Sequence, residues 1–420
     1  MDGRQLLLIE GGVFFIMISV GIDVSKGKST ISALKPYGEV VLSPKDYKHC
    51  VSDLNLFIKK LGQFKKEEIH IIMEATGNYH LPISNYFKDK GYEVIIVNPL
   101  EMKRYRYQGI RNPKTDRIDS LIIAQYGIDY WYKKNESLIM NDVREELRFL
   151  GKQYVQFMKT RSNRSIALCN LLDQTMPGIY DLLDDFNRNN GKDKLCDFVE
   201  EYWHRDLIIK YSENKFIERY NKWLKKKGYR LNGNEDHQLY IISKDAIPTL
   251  KADESTHMVV LSAVSLLKET NASLFTILAK MRQLAKQMPE YETVMAMKGV
   301  GDSIGPRLIA ETGDPRRFHS AKALIAYSGI DAPPYQSGQF TGTDRHMSKR
   351  GSKIMRKLGY ELIDSINKHQ VSYQGDPVTN YFLKKRQEGK HYRVAMFAAY
   401  NKFLRIYHSR VSEVLNTLEA

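Results

Sequence analysis

Residues 14–24, FFIMISVGIDV, decide the fold. The run is apolar and β-branched and carries an acid near its end, so it reads as a buried central strand that delivers Asp23 at its C-terminal end. Residues 29–43, STISALKPYGEVVLS, continue as two more strands around a Pro-Tyr-Gly turn. Residues 47–64 then place Val51, Leu54, Phe57, Ile58 and Leu61 at helical spacing. EEIHIIME (67–74) is a strand ending in Glu74, a helix follows, and YEVIIVNP (92–99) is another buried strand. Strands alternating with helices predict an α/β sheet with parallel pairs, preceded by an antiparallel meander. In such sheets reactive groups collect outside the carboxyl ends of the strands.

The whole chain sets the wider bounds. Its 420 residues suffice for two or three compact domains, and its formal charge of +15 predicts attraction to polyanions, above all nucleic acid. Cys50, Cys169 and Cys196 are far apart and fit neither a disulfide framework nor a metal-ligand spacing, which suits a reducing cytoplasm. The apolar stretch 6–22 is interrupted by Glu10, lacks a basic leader beyond Arg4 and falls short of the ~20 residues that span a bilayer, so no membrane partner is expected. Met17 opens MISVGIDVSK, and residues 1–16 are read as a possible non-native extension.

Asp23 and Glu74 both belong at strand ends. In NPKTDRIDSLIIAQY (112–126), Asp116 and Asp119 stand three apart at the start of a helix and share a face. Four carboxylates at one sheet edge cannot all stay ionised without cations, and oxygen-only ligands suit Mg²⁺, as in phosphoryl transfer. Each acid taken alone has a plainer reading: Asp116 an N-cap, Glu74 a surface acid, Asp23 a turn residue.

GIDVSK (21–26), MEATGNYH (73–80) and the 112–126 segment resemble the three blocks of the RNase H-like, Holliday-junction-resolvase-like domain of the DEDD transposases, the insertion sequence 110 family. The resemblance makes Asp23, Glu74, Asp116 and Asp119 the DEDD positions, both catalytic and Mg²⁺-binding. Ser120 departs mildly from the small residue usual after the last acid.

Further along, Leu147, Leu150, Tyr154 and Phe157 keep a helical period, and Leu267, Leu274, Ile277, Met281, Leu284 and Met288 follow coiled-coil steps. Two long helices packed inside one chain and a dimer seam are equally open. Residues 186–254 are polar, Trp- and Tyr-containing and broken by Gly, Asn and Pro; they read as an insertion of unknown role. The expected layout is therefore an RNase H-like domain (17–137), a coiled-coil helix (138–185), the insertion (186–254), a second such helix (255–290) and a mainly helical C-terminal transposase domain (291–420).

In that last part, Lys298-Gly299-Val300-Gly301 between two helical patterns, with Arg307 close by, predicts a helix-hairpin-helix-like phosphate contact. A simple tight turn is the bland alternative. PPYQSGQFT (333–341) carries Ser337 ahead of the basic run Arg345, Lys349, Arg350, Lys353, Arg356 and Lys357. Helical spacing is expected from Ser348, with Lys349, Lys353 and Arg356 on one face toward nucleic-acid phosphates. No Gly-x-Ser-x-Gly elbow surrounds Ser337 and neither His319 nor His346 has the context of a triad, so a phosphodiester is the better target for its Oγ.

YSGIDAPPYQSGQF (327–340) followed by MSKRGSKIMRK (347–357) is similar to the C-terminal segment of the same family. The resemblance implies that Ser337 is a catalytic nucleophile forming a phosphoserine link to DNA. It also implies donor and target duplex DNA, a structured guide RNA that pairs with both, and a homo-oligomer, dimer or tetramer, in which one subunit's metal domain completes another's serine site. The setting would be prokaryotic, at the nucleoid. Two competitors stay open: a metal-dependent junction resolvase without serine chemistry, and a non-catalytic RNA-binding scaffold.

Overall fold

The structure, a computed structural model, describes residues 17–106, 115–130, 142–183, 186–188, 190–333, 336–337, 340–341, 346–373 and 375–418. The chain divides into two compact units, 1–139 and 140–420. The first is built on strands β1 (Ile18–Val24), β2 (Lys28–Leu34) and β3 (Val40–Lys48), helix α1 (Val51–Leu61), β4 (Ile69–Glu74), α2 (His80–Asp89), β5 (Glu93–Val97), α3 (Pro99–Arg106) and α4 (Asp116–Tyr130). The five strands form one sheet in the order β3-β2-β1-β4-β5. β1 pairs antiparallel with β2 and β2 with β3, whereas β1–β4 and β4–β5 are parallel, a mixed sheet compatible with an RNase H-like domain.

Strand alternation sorts the side chains of β1 and β4 onto two layers. Ile18, Val20, Ile22, Ile71 and Met73 join Phe57 of α1 and Phe87 of α2 in one core, while Ile72 joins Ile123 and Tyr126 of α4 in another. The intervening residues of β1, namely Ser19, Gly21 and Asp23, therefore belong to the α4 side. Small residues there let the helix come close: Ser19 Oγ donates to the Ala124 carbonyl at 2.7 Å. A Cβ on Gly21 would collide with the backbone of Ser120 and Ala124. α4 itself is started by Thr115, whose Oγ1 accepts from the Ile118 amide, and acids in its first turn suit the helix dipole.

The second unit is helical apart from a short hairpin. α5 (Asp142–Thr175) and, much later in the chain, α11 (Glu254–Ala285) run antiparallel: Glu146 meets Lys280 at 3.6 Å and Arg161 Nε donates to Asn271 Oδ1 at 2.9 Å. Arg144 pairs through both terminal nitrogens with the fully buried Glu290, at 2.6 and 2.9 Å. The periodic residues Leu267, Leu274, Met281, Leu284 and Met288 are buried inside the chain, so this apolar seam is covered internally. By length and composition α11 could also cross a bilayer; Val260, Val264, Leu267, Leu274, Leu278 and Met281 on it join these cores, while Met258, Val259 and Leu266 are exposed.

Between the long helices lie α6 (Ile179–Leu183), α7 (Lys194–Val199), α8 (Asp206–Ile209), α9 (Glu213–Lys227) and α10 (Glu235–Asp245). The segment expected as an insertion does lie between the two long helices, and its polar composition covers a core of its own. Phe198, Tyr202, Phe216, Tyr220 and Trp223 form a buried aromatic core seated on Leu168 and Leu172 of α5, Met176 just after it, and Val260 and Val264 of α11. Phe216, Tyr220, Trp223 and Leu224 share one face of α9, hidden in the sequence among its lysines.

The chain continues through α12 (Tyr291–Met295), α13 (Gly305–Thr312), α14 (Ala321–Ser328), the hairpin β6 (Gln336–Ser337) and β7 (Phe340–Thr341), α15 (Lys353–Lys368), α16 (Pro377–Gln387) and α17 (Tyr392–Thr417). One continuous core joins these helices to the outer halves of α5 and α11, with Leu308, Leu358, Ile363, Ala399, Tyr400 and Phe403 among its buried members.

Candidate active site

Asp23 lies next to last in β1 and Glu74 ends β4. Because both are on the α4 side of parallel neighbours, they reach the edge where α4 begins with Asp116 and Asp119. Asp119 is buried and Asp116 exposed; Asp23 and Glu74 are half-buried. Burial pushes the Asp23 carboxyl up to about 6, and the nearby negative charges of Asp119, Asp116 and Glu74 push the same way against the pull of Arg106.

Arg106, at the end of α3, has no motif in the sequence to mark it. Its Nη2 donates to Glu74 Oε2 at 3.1 Å and its Nε stands 3.7 Å from Asp119 Oδ1. The only sequence signal is generic: Lys103, Arg104 and Arg106 crowd the last turn of α3, where cations suit a helix C-terminus. In the structure the guanidinium is the cation that bridges two of the four acids.

Among the described residues no group of three or more Asp, Glu, His or Cys stands close enough together to hold a metal ion. The Arg106 guanidinium spans Glu74 and Asp119 and takes up oxygen faces that a metal ion would otherwise use. The donor chemistry nonetheless fits a hard divalent cation: carboxylates only, crowded enough that Asp23 resists ionisation.

The second unit holds the remaining predicted residues. Ser337 is in β6, its register partner being Phe340 of β7; at Ser337 the description covers the backbone only. Arg345 lies outside the described residues. Lys298 is exposed, its Nζ 5.4 Å from the centre of the Tyr373 ring. Gly299 has φ of +80° and is buried, so that a Cβ would meet Ile366 and the Leu362 carbonyl; its absence of a side chain serves turn and packing together. Gly301 is exposed with open space around it. The two glycines lie between the short helix α12 and α13.

Two expectations about cations change. Arg307 does not face solvent: it is 7% exposed, donates to Glu361 Oε2 at 2.6 Å and lies over the Tyr154 ring. Its charge is neutralised inside the fold, which removes it from the phosphate contacts. Lys349 is not on a helix shared with Lys353 and Arg356, since Ser352 caps α15 by accepting from the Met355 amide. Lys349 instead has φ of +53° and its amide donates to the Gly329 carbonyl at 3.0 Å. Arg356 is half-buried and donates to the Ser328 and Gly351 carbonyls, bracing the turn; Lys349, Arg350, Lys353 and Lys357 are exposed.

A mixed sheet with acids at its carboxyl edge, joined in one chain to a helical unit, suits a DNA-processing enzyme, and it is comparison with known proteins that gives the transposase class. A DEDD model of the IS110 group, described as "Transposase", matches residues 20–177, and one described as "Transposase IS116/IS110/IS902 family" matches 291–375. The pilin gene-inverting protein of Moraxella bovis is 22% identical over 367 residues, covering 86% of this chain and 85% of its own. A transposase for insertion sequence element IS1533 from Leptospira borgpetersenii is 28% identical over 198 residues, 45% of this chain and 55% of its own. The chain belongs to the IS110 family of transposases.

Proposed function

We propose that the protein cuts and rejoins the DNA of a mobile element through a phosphoserine link at Ser337. Asp23, Glu74, Asp116 and Asp119 would hold Mg²⁺, and a structured non-coding RNA would choose the sites. The observation that carries this reading is the carboxylate edge, where Asp23 is pushed up to about 6 by burial and by the other three acids. Such crowding of anions costs stability in the resting fold and fits a cation that arrives with substrate. Ser337 is supported by its place within the second matched segment, in a hairpin followed by exposed Lys349, Arg350, Lys353 and Lys357.

In the proposed reaction Oγ of Ser337 loses its proton and attacks phosphorus. The bond from phosphorus to the sugar oxygen breaks, and that oxygen takes up a proton. A hydroxyl of the incoming strand then attacks the phosphoserine and returns the serine. The number of phosphoester bonds is unchanged, so no nucleotide hydrolysis is needed. Bound Mg²⁺ would neutralise charge developing on the phosphate. The names of the relatives, one inverting a pilin gene and one moving an insertion sequence, both describe DNA rearrangement. Donor and target duplexes imply a dimer or tetramer working at the nucleoid, with residues 17–137 as the carboxylate domain, 291–420 as the serine domain, and coiled-coil helices 138–185 and 255–290 as scaffold.

The test uses DNA bearing the element ends and the RNA encoded beside the open reading frame. Wild type gives a protein–DNA adduct that survives denaturation, Ser337→Ala gives none, and Asp119→Ala gives little. Strand joining by Ser337→Ala at the wild-type rate would leave the carboxylates as the sole catalytic groups.

A further inference from the structure

A large groove opens in the second unit, about 1120 Å³ in volume, where α17 faces the chain around the serine hairpin. Ala332 and His346, which bracket the hairpin in sequence, both line it. Its cations are Lys349, Arg393, Lys402 and Arg405, with His346 beside them, and no carboxylate is among its described lining residues. Elsewhere in this unit Arg144, Arg161, Arg307 and Arg316 are each paired with a carboxylate. The four groove cations form no ion pair among the described residues, and all four are exposed.

The floor has a different character. Val394, Phe397, Met347 and Tyr381 give it apolar and aromatic surface, and Val394 is 54% exposed. α17 presents this side opposite the one it buries, since Ala395, Met396, Ala399, Tyr400 and Phe403 face the core. Clustered cations over an apolar floor match one chemistry: phosphates on the rim and unpaired bases against the aromatic surface. A duplex keeps its base faces stacked and would have none to lay against the floor. The volume also exceeds the roughly 300–1,000 Å³ typical of small-molecule pockets.

We propose that this groove seats an unpaired segment of DNA strand, held by Arg393, Lys402 and Arg405 of α17 and by Lys349, next to the scissile phosphate. The occupant is DNA because the family's substrate is DNA. The inference builds on the proposed role of Ser337 for its purpose, while the binding itself does not require that role.

The experiment measures fluorescence anisotropy of the full-length protein with a labelled oligothymidylate of about 15 nucleotides. A duplex and an oligouridylate of equal length serve as comparators, across a range of salt. Removing three phosphate contacts in Arg393→Ala/Lys402→Ala/Arg405→Ala lowers single-strand affinity by about 10- to 100-fold and reduces the salt slope by about 2. Phe397→Leu keeps the packing, weakens the single strand several-fold and leaves the duplex unchanged. Ser337→Ala binds as wild type, so loss of the serine assignment and loss of the groove read out separately. Lys222→Ala/Lys226→Ala on α9 removes two exposed cations elsewhere as a charge control and has no effect. The inference fails if the triple variant retains wild-type affinity and slope, or if duplex and single strand weaken equally. It fails too if the α9 control matches the triple variant, or if oligouridylate binds more tightly than oligothymidylate.

Discussion

Replacing Asp23 with Asn should make the protein more stable at neutral pH while abolishing strand cleavage. The folded carboxyl is raised from 3.8 to about 6 by burial and by Asp119, Asp116 and Glu74. A group whose folded pKa lies above its unfolded value contributes stability that is complete below pH 3.8 and is lost as pH rises through about 6. A tenfold change in proton affinity is worth about 1.4 kcal/mol; Asp23 is half-buried, and solvent screening brings the expected effect to about 1–2 kcal/mol. Urea unfolding followed across this range should show wild type and Asp23→Asn coinciding at low pH. The variant should then draw ahead by about 1–2 kcal/mol at pH 8. Adding Mg²⁺ at pH 8 should narrow the gap, because a cation relieves the repulsion that Asn has already removed. Parallel stability curves from acid to pH 8, or a variant less stable than wild type at pH 8, would refute the view that this edge carries more negative charge than Arg106 offsets.

Other consequences follow from particular contacts. Gly21→Ala should lift α4 off β1, costing about 1–3 kcal/mol and disabling cleavage although no carboxylate is altered; thermal unfolding and the adduct assay check it. Arg106→Ala should tighten Mn²⁺ binding by about tenfold in electron paramagnetic resonance titrations, because Glu74 and Asp119 lose the guanidinium that bridges them. Unchanged affinity would count against a metal at these acids. Arg307→Met should lower stability by about 3–5 kcal/mol, since it strands the mostly buried Glu361 with Arg188, yet leave the salt slope of DNA binding intact.

Much of the first unit is legible in the sequence because its signals are local. The β-branched run ending in Asp23 and the alternation within β1 and β4 each depend on neighbours a few residues away, whereas the residue that caps α4 is Thr115 and not Asp116. The meander and parallel pairs appear as expected, and the four acids stand at one edge. The hidden face of α9 is readable too, from Phe216, Tyr220, Trp223 and Leu224 at helical spacing, but the lysines between them make the segment look like a polar linker. Lys349 shows the opposite failure: the basic run reads as continuous helix, past a residue that the turn holds at φ of +53°.

By itself, then, the sequence determined the strands and helices of the first unit and where along them the four acids stand, because backbone preference and side-chain periodicity are short-range. Only tertiary structure decided where charge is neutralised and where it is left open. Arg106 bridges Glu74 and Asp119 across 32 residues or fewer, Arg307 turns inward to Glu361 across 54, and the groove gathers Lys349 with Arg393, Lys402 and Arg405 from a different helix. In the sequence every lysine and arginine carries the same unit charge. Whether that charge meets a carboxylate, an aromatic ring or open solvent depends on which distant surfaces the core brings together.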